Sequence, residues 1–274
     1  MWLRKRESAI TVERFAASGL IGPVRIFDKR ECREIETYFN KALRPTPLDW
    51  PKGHAASDYF IYRLATRRSI IDIVSKLLGE DIILWGASLI EKKPGGRHQW
   101  HVDIECTQGT GLFASAWIGI SYCSRRTAPT FLIGSHRFDE IIQKMEYDRH
   151  LDRKSMTDRD IVNLARTVDP GVYLETPYIV DGEAVFFDGR IWHASFNAGR
   201  KHQKALLLQY ASADSVVRIP DLKQRDWPFI FKDDPLPPVI SIRGRPVSGI
   251  NRIVSAPSPD TMYSETYYGL QQNY

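Results

Sequence analysis

From Ile82 onward the chain is a series of short runs rich in β-branched and aromatic residues, separated by Gly, Pro, Asn and Asp. The runs read IILWGASLIEKK, LFASAWIGISY, EAVFFD, IWHAS and KALLLQYAS. Short runs of this composition, with turn residues between them, are typical of an antiparallel sandwich or barrel. The pattern therefore predicts a mainly β fold with helices packed against it.

Helical patterns precede the β-rich region. Asp28 is a suitable N-cap, and apolar residues recur at helical spacing in the segment that follows it. A second helix is predicted over Ser69–Leu78, where Ser69 and Asp72 resemble a capping box. Gly79 stands where a C-terminal cap belongs.

We expect one domain over residues 1–274, because β folds of this length often remain undivided. Its parts are a helical N-terminal part (1–80), a β core (81–215) with a helical insert (138–168), and an irregular C-terminal extension (216–274). The insert is expected to cover the mouth of a pocket. The extension is rich in Pro and aromatic residues and is expected to wrap the surface or meet a partner subunit, which makes a homodimer reasonable.

Composition excludes several classes of protein. With 43% hydrophobic residues the chain can bury a large core, yet its longest apolar runs are far shorter than the roughly 20 residues that cross a bilayer. The N-terminal MWLRKRESAI lacks the apolar stretch of a signal peptide. We therefore expect a soluble, cytoplasmic protein with no membrane contact.

Charge and cysteine content narrow the classes further. The net charge of +5 comes from scattered basic pairs and no continuous basic face, so we expect no nucleic-acid partner. A small anionic substrate explains the mild excess equally well. The three cysteines show no C-x-x-C spacing, which argues against a disulfide framework and against a zinc knuckle.

The stretch RHQWHVDIECTQ places two metal-ligand residue types, His101 and Asp103, two positions apart. On a strand such residues point the same way, about 6.5–7 Å apart, so both can reach one cation. His193 lies on another predicted strand and is the best third donor. Two histidines and a carboxylate form the facial triad of non-haem iron(II) oxygenases. The same set suits a catalytic zinc hydrolase, a non-catalytic ligand-binding barrel or an ordinary polar patch.

Four segments, in order, resemble the phytanoyl-CoA dioxygenase family of iron(II)/2-oxoglutarate oxygenases. They are GLIGPVRIFDKRECREIETYF, WHVDIE, TAPTFLIGSHRF and DGEAVFFDGRIWHASFNAG. The resemblance implies a double-stranded β-helix, that is, a jelly-roll, cupin-like barrel with the metal inside one mouth. It also implies that His101, Asp103 and His193 are the iron ligands and the catalytic centre.

The resemblance further implies a 2-oxoglutarate pocket. Ser195 resembles a group that hydrogen-bonds the cosubstrate carboxylate, and Trp117 matches a tryptophan that lines the pocket. The family's anchoring arginine, about eleven residues after the distal histidine, is replaced here by Lys204. If the strand ALLLQY is aligned instead, the slot becomes Gln203. We expect Lys204 to be the anchor, with Arg200 second.

Asp103 bears on the reaction type, because the family's halogenating relatives have a small residue at this position. The resemblance thus implies Fe(II), 2-oxoglutarate and O₂ as cofactors. It also implies hydroxylation of an unactivated C–H of a small-molecule substrate, either a natural-product intermediate or a small polar metabolite, with release of succinate and CO₂. Glu105 and Arg97 are the candidate substrate contacts. Strand alternation places His98 on the face opposite His101, so we expect His98 to be structural.

Overall fold

The computed structural model describes residues 12–41, 46, 50–103, 111–218, 220, 227–231 and 234–259. In these ranges the α-helices are α1 (Val12–Ser18), α2 (Lys29–Lys41), α3 (His54–Ser57), α4 (Tyr59–Ala65), α5 (Arg68–Leu78), α6 (Ile142–Asp148) and α7 (Asp158–Arg166). A short 3₁₀ helix spans Ser135–Arg137. The strands are β1 (Leu20–Arg25), β2 (Ile82–Lys92), β3 (Arg97–His101), β4 (Phe113–Ser121), β5 (Pro129–Ile133), β6 (Tyr173–Glu175), β7 (Glu183–Asp188), β8 (His193–Phe196), β9 (Gln203–Ser212), β10 (Pro238–Arg243) and β11 (Arg252–Ile253).

The strands form two sheets. The larger has the order β1-β7-β4-β9-β2-β10-β11 and the smaller the order β3-β8-β5-β6. From β2 to β9 the chain passes back and forth between the sheets, which is the connectivity of a jelly roll. The predicted mainly β, jelly-roll class is confirmed. Among the described residues the hydrogen-bonded pairing leaves two separate sheets and does not close a barrel.

Each sheet has an inner face toward the other sheet and an outer face covered by helices. On the outer face of the large sheet, residues such as Ile118 and Leu208 pack in one core with α2, α4 and α5. On its inner face, Trp117 and Leu207 pack with Phe131 of the small sheet. Strands β4 and β9 are buried along their whole length because both faces are covered.

The helical insert packs behind the small sheet. The sequence had suggested a different position, over the mouth of a pocket. Apolar residues of α6 and α7, among them Met145 and Ile161, share a core with Trp100, Val102 and Trp192. These three alternate along the chain with His101, Asp103 and His193. The insert therefore supports the strands that carry the candidate ligands, from the side opposite to the ligands themselves.

Both predicted N-terminal helices are present, but only one has the predicted cap. Asp28 and Glu31 exchange side-chain and backbone hydrogen bonds, each 2.8 Å long, at the start of α2. The second helix begins at Arg68, after Arg67, without a side-chain cap, so the predicted capping box of Ser69 and Asp72 is wrong. Its C-cap is Gly79, at φ +90°, as predicted.

The C-terminal extension is not irregular throughout. Strand β10 pairs antiparallel with β2, and β11 pairs parallel with β10, so both extend the large sheet. Residues 260–274, which include the aromatic end of the tail, lie outside the described residues. No helix in the described part of the chain has the length and apolar character needed to cross a membrane.

Asp58 joins two of the helices that cover the large sheet. It is fully buried, and its Oδ1 accepts a hydrogen bond from the Ile61 backbone N–H at 3.0 Å, which caps α4. Its Oδ2 accepts a bond from the Tyr38 hydroxyl of α2 at 2.9 Å. Asp58 therefore satisfies a helix terminus and a tertiary contact together.

We expect Asp58→Ala to lower the free energy of unfolding by about 2–4 kcal/mol, because it removes a cap and leaves the Tyr38 hydroxyl without this acceptor. Asp72→Ala is the control: Asp72 lies in an exposed i,i+4 pair with Arg68, worth less than about 0.5 kcal/mol. Urea denaturation measures both. Equal losses for the two variants would contradict the role of Asp58.

Candidate metal centre

The pairing of β3 with β8 brings the predicted ligands together. In this antiparallel pair His101 lies directly opposite His193. Asp103 follows two residues after His101, just beyond the end of β3, where its backbone N–H donates to the Gly189 carbonyl at 3.0 Å. One ligand atom from each of the three side chains lies within 4.8 Å of the other two.

The three side chains face one point. Oδ1 of Asp103 lies 3.8 Å from Nε2 of His101 and 3.7 Å from Nε2 of His193. The Nδ1 atoms lie 2.8 Å from the Gln99 carbonyl and 3.0 Å from the Ile191 carbonyl, to which they donate. Each ring is thereby held in the tautomer whose Nε2 lone pair points to the common centre.

The protonation states suit a cation. Burial lowers the pKa of both His101 and His193, so the rings are neutral at pH 7 and their Nε2 atoms can coordinate. Asp103 is 5% exposed, and its Oδ2 accepts a 2.5 Å hydrogen bond from the Ser115 hydroxyl of β4. Ser115 therefore orients the carboxylate and leaves Oδ1 for the metal.

His98 lies on the same face as His101, which strand alternation did not predict. A bulge between the two residues shifts the register, so His98 pairs with Ser195 and its ring centroid lies 4.1 Å from that of His101. A bulge reverses the faces of the residues beyond it. His98 is thus a neighbour of the metal cluster.

An aromatic wall lies behind the distal histidine. The ring centroid of His193 is 4.9 Å from that of Phe187 and 5.7 Å from that of Phe131. Trp117 belongs to the same inner core and is 5% exposed. A bulge after Gly119 turns Ser121 of the same strand toward Glu36 of α2, to which its hydroxyl donates.

Of the two residues predicted to anchor the cosubstrate, Lys204 lies away from the cluster. Lys204 lies on the helix-covered face, where its ammonium donates to Asn40 and lies 3.9 Å from Oε1 of Glu36. Arg200 is exposed in the turn before β9. Of the predicted substrate contacts, Arg97 is exposed and stacks on Phe196, while Glu105 lies outside the described residues.

A different lysine reaches the inner face beside the predicted Ser195. Lys92, the last residue of β2, is 8% exposed and donates from its ammonium to the Ser195 hydroxyl. Burial lowers its pKa to about 8. Directly opposite Lys92 is Gln203, which is fully buried and whose Oε1 has no hydrogen-bond partner among the described residues. The feature of the sequence that could have indicated this buried lysine is the position of Lys92 at the end of an apolar strand.

Gln209 is a second buried amide that the sequence did not reveal. It is fully buried, and neither its Nε2 nor its Oε1 has a partner within the described ranges. On β9, Gln209 lies opposite Ser115 of β4 on one side and opposite Gly86 of β2 on the other. A Cβ at Gly86 would lie 2.6 Å from the Gln209 Oε1, so a side chain at position 86 would displace the amide from this position. Gln209 therefore lies beside the serine that holds Asp103.

Two facing jelly-roll sheets with two neutral imidazoles and one carboxylate on the inner face define a cupin-like metalloprotein of the facial-triad type. The donor set fits iron(II), because nitrogen and oxygen ligands meet on one side of a common point. Residues 49–202 match the phytanoyl-CoA dioxygenase (PhyH) family. The chain therefore belongs to this family of iron(II)- and 2-oxoglutarate-dependent oxygenases, and His101, Asp103 and His193 form its candidate iron site.

Solved structures share the fold at low sequence identity. The non-haem monooxygenase ThoJ, in a nickel complex, is 15% identical, with a TM-score of 0.60 over 91% of this chain and 89% of that one. EctD from S. alaskensis is 17% identical, with a TM-score of 0.58 over 86% of each chain. The epimerase SnoN, in complex with Fe³⁺, α-ketoglutarate and nogalamycin RO, is 17% identical, with a TM-score of 0.56 over 92% and 98%. No curated protein sequence matches the chain.

We expect Ser115→Ala to weaken binding of Mn(II), as a stand-in for iron(II), by about 10–100-fold, since the carboxylate loses the group that orients it. Ser121→Ala is the matched control on the same strand, because its hydroxyl faces α2. Calorimetric titration of the metal-free protein measures both affinities. A Ser115→Ala variant that binds Mn(II) like the wild type would show that the hydroxyl has no role in holding Asp103.

Proposed function

We propose that this protein hydroxylates an unactivated C–H bond of a small polar molecule, using 2-oxoglutarate and O₂ and releasing succinate and CO₂. The observation that carries the proposal is the cluster itself: two neutral Nε2 atoms and one carboxylate oxygen facing one point. The presence of Asp103 favours hydroxylation over halogenation, because a carboxylate at this position occupies the coordination site that a halide would need. Family membership supports the oxygenase class.

The residues of the chain have distinct parts in this proposal. His101, Asp103 and His193 hold the iron, and the carbonyls of Gln99 and Ile191 hold the two rings in register. When bound, the iron with 2-oxoglutarate supplies the oxidising chemistry. Because the three side chains approach from one side, a bound iron would remain open to 2-oxoglutarate and O₂.

The pocket walls exclude water from the reacting atoms. Phe131 and Phe187 pack against His193, and Trp117 belongs to the same inner-face core. Ser195 and Trp117 are retained as neighbours of 2-oxoglutarate. Lys204 is not retained, because its ammonium lies on the helix-covered face, and Arg200 is not retained, because it is exposed in the turn before β9.

The buried polar groups on the other side of the cluster indicate the kind of substrate. Gln209 offers an unused donor and an unused acceptor, and the indole N–H of Trp85 also lacks a partner within the described residues. The half-buried Lys52 places its ammonium 5.2 Å from the Trp85 ring centroid. Leaving such groups unpaired costs about 1–3 kcal/mol each, so a substrate that pairs with them gains affinity. We therefore propose a substrate with amide, hydroxyl or anionic groups.

The oxygenase class is tested by adding iron(II) and 2-oxoglutarate without oxygen. We expect a weak visible charge-transfer band in the wild type and its loss in Asp103→Ala, because that variant lacks one of the three ligands. Absence of the band in the wild type, together with zinc-dependent hydrolysis, would replace the proposal with a zinc hydrolase. Absence of both the charge-transfer band and the zinc-dependent hydrolysis would favour a non-catalytic ligand-binding protein.

The reaction outcome is tested on a substrate found by native mass spectrometry of candidate metabolites with the anaerobic complex. Hydroxylation predicts one succinate formed per O₂ consumed and a product that gains one oxygen atom. The epimerase SnoN shares the fold, so a product of unchanged mass is the outcome that would contradict hydroxylation.

Gln209→Leu separates substrate recognition from the rest of the site. We expect this variant to keep its affinity for Mn(II) and 2-oxoglutarate and to bind the identified substrate about 10–100-fold more weakly, because a hydrogen-bonding amide is lost. Its melting temperature should not fall, since the replaced amide has no partner within the described ranges. Leu207→Met, a change in an apolar neighbour on the same face, is the control. Unaltered substrate affinity in Gln209→Leu would remove Gln209 from the substrate site.

A further inference from the structure

Lys92 is a buried cation without a carboxylate partner. Its side chain is 8% exposed, and no carboxylate of the described residues lies within ion-pair distance of its ammonium. The contact that it makes is with the Ser195 hydroxyl. A buried ammonium is stabilised far better by a carboxylate than by a hydroxyl, because only the carboxylate compensates the charge.

The surroundings of Lys92 supply further unused polar groups. Gln203 lies directly opposite on β9, is fully buried, and has an Oε1 without a partner within the described ranges. Its Nε2 donates to the Cys123 sulfur, a weak acceptor, at 3.8 Å. Asn197 fixes the backbone of Lys92 by donating to its carbonyl at 2.7 Å. A positive charge, a hydroxyl and an amide therefore meet in one buried space.

The distance of this space from the metal cluster is set by strand geometry. Ser195 lies two residues beyond His193 on β8, a step of about 6.6 Å along one face. A 2-oxo acid that chelates a metal through its first two carbons has three carbon–carbon bonds between the chelating carbonyl and a fifth-carbon carboxylate. Once the bonds from the metal to that carbonyl carbon are added, the span from the metal to the distal carboxylate is comparable to the step from His193 to Ser195.

We propose that Lys92, with Ser195 and Gln203, binds the distal carboxylate of 2-oxoglutarate, so that a lysine at the end of β2 takes the part predicted for Lys204 on β9. This inference rests on the proposed function and names the residues that select the cosubstrate. The ammonium pairs with one carboxylate oxygen and the Ser195 hydroxyl donates to the carboxylate. The amide of Gln203 contributes its N–H group, which exchanges a weak sulfur contact for a stronger acceptor.

The test compares two cosubstrate probes under anaerobic conditions. They are 2-oxoglutarate and 2-oxopentanoate, which has the same chain length but a methyl group in place of the distal carboxylate. Titration of the iron(II)-loaded protein, followed by the visible charge-transfer band or by calorimetry, gives both dissociation constants. In the wild type we expect 2-oxoglutarate to bind about 10–100-fold more tightly than 2-oxopentanoate, because only it forms the charge-assisted contacts.

Lys92→Met should reduce this preference to less than about threefold, with 2-oxopentanoate affinity nearly unchanged, since only the distal contact is lost. Lys204→Met is the matched control, because its ammonium lies on the helix-covered face and the preference should persist. The Lys92→Met apoprotein should also melt at a higher temperature than the wild type, because the variant no longer buries an uncompensated charge.

The outcomes separate this inference from the proposed function. If the wild type prefers 2-oxoglutarate and Lys92→Met keeps that preference, the inference is overturned and the proposed function stands. Loss of the preference in Lys204→Met would likewise overturn it, in favour of an anchor on the other face. If the wild type binds neither probe, the proposed function itself fails and the inference fails with it.

Discussion

The register between β3 and β8 is the constraint on which the site depends. These strands lie far apart in the sequence, yet their antiparallel pairing sets His101 directly opposite His193. The following turn of chain then places Asp103 within 3.8 Å of both rings. Because side chains alternate between faces, a shift of one residue would send one imidazole to the far side of the sheet. Each remaining feature of the site is arranged around this pairing.

The fold class and the members of the candidate cluster could be predicted from the sequence, the first from local patterns and the second from those patterns together with the family resemblance. Short β-rich runs predicted the strands, and the residue types and spacing of His101, Asp103 and His193 predicted the cluster. Bulges could not be predicted, since one inserted residue leaves no mark in the residue types of a strand. The face of His98 was therefore misplaced.

The position of the cosubstrate anchor could not be obtained from the sequence for a related reason. Counting residues from His193 arrives at Lys204, but β9 is buried on both faces, so hydrophobicity does not tell which residues point inward. The structure answers this through neighbours: Lys204 contacts α2, whereas Gln203 and Gln209 face the other sheet. Lys92, at the end of the apolar strand β2, is the lysine that enters the interior.

The helical insert packs on the reverse side of the ligand-bearing strands, and this arrangement separates two kinds of sequence change. Trp100, Val102 and Trp192 pack against the insert, while the residues next to them in the chain form the candidate metal cluster. A change of volume at Met145 or Ile161 would press on the backbone of the ligands without touching the reaction space. Sequence changes in the insert would then alter the affinity of the site for the metal ion. Selection of the organic reactant would depend on residues on the opposite surface of the same strands.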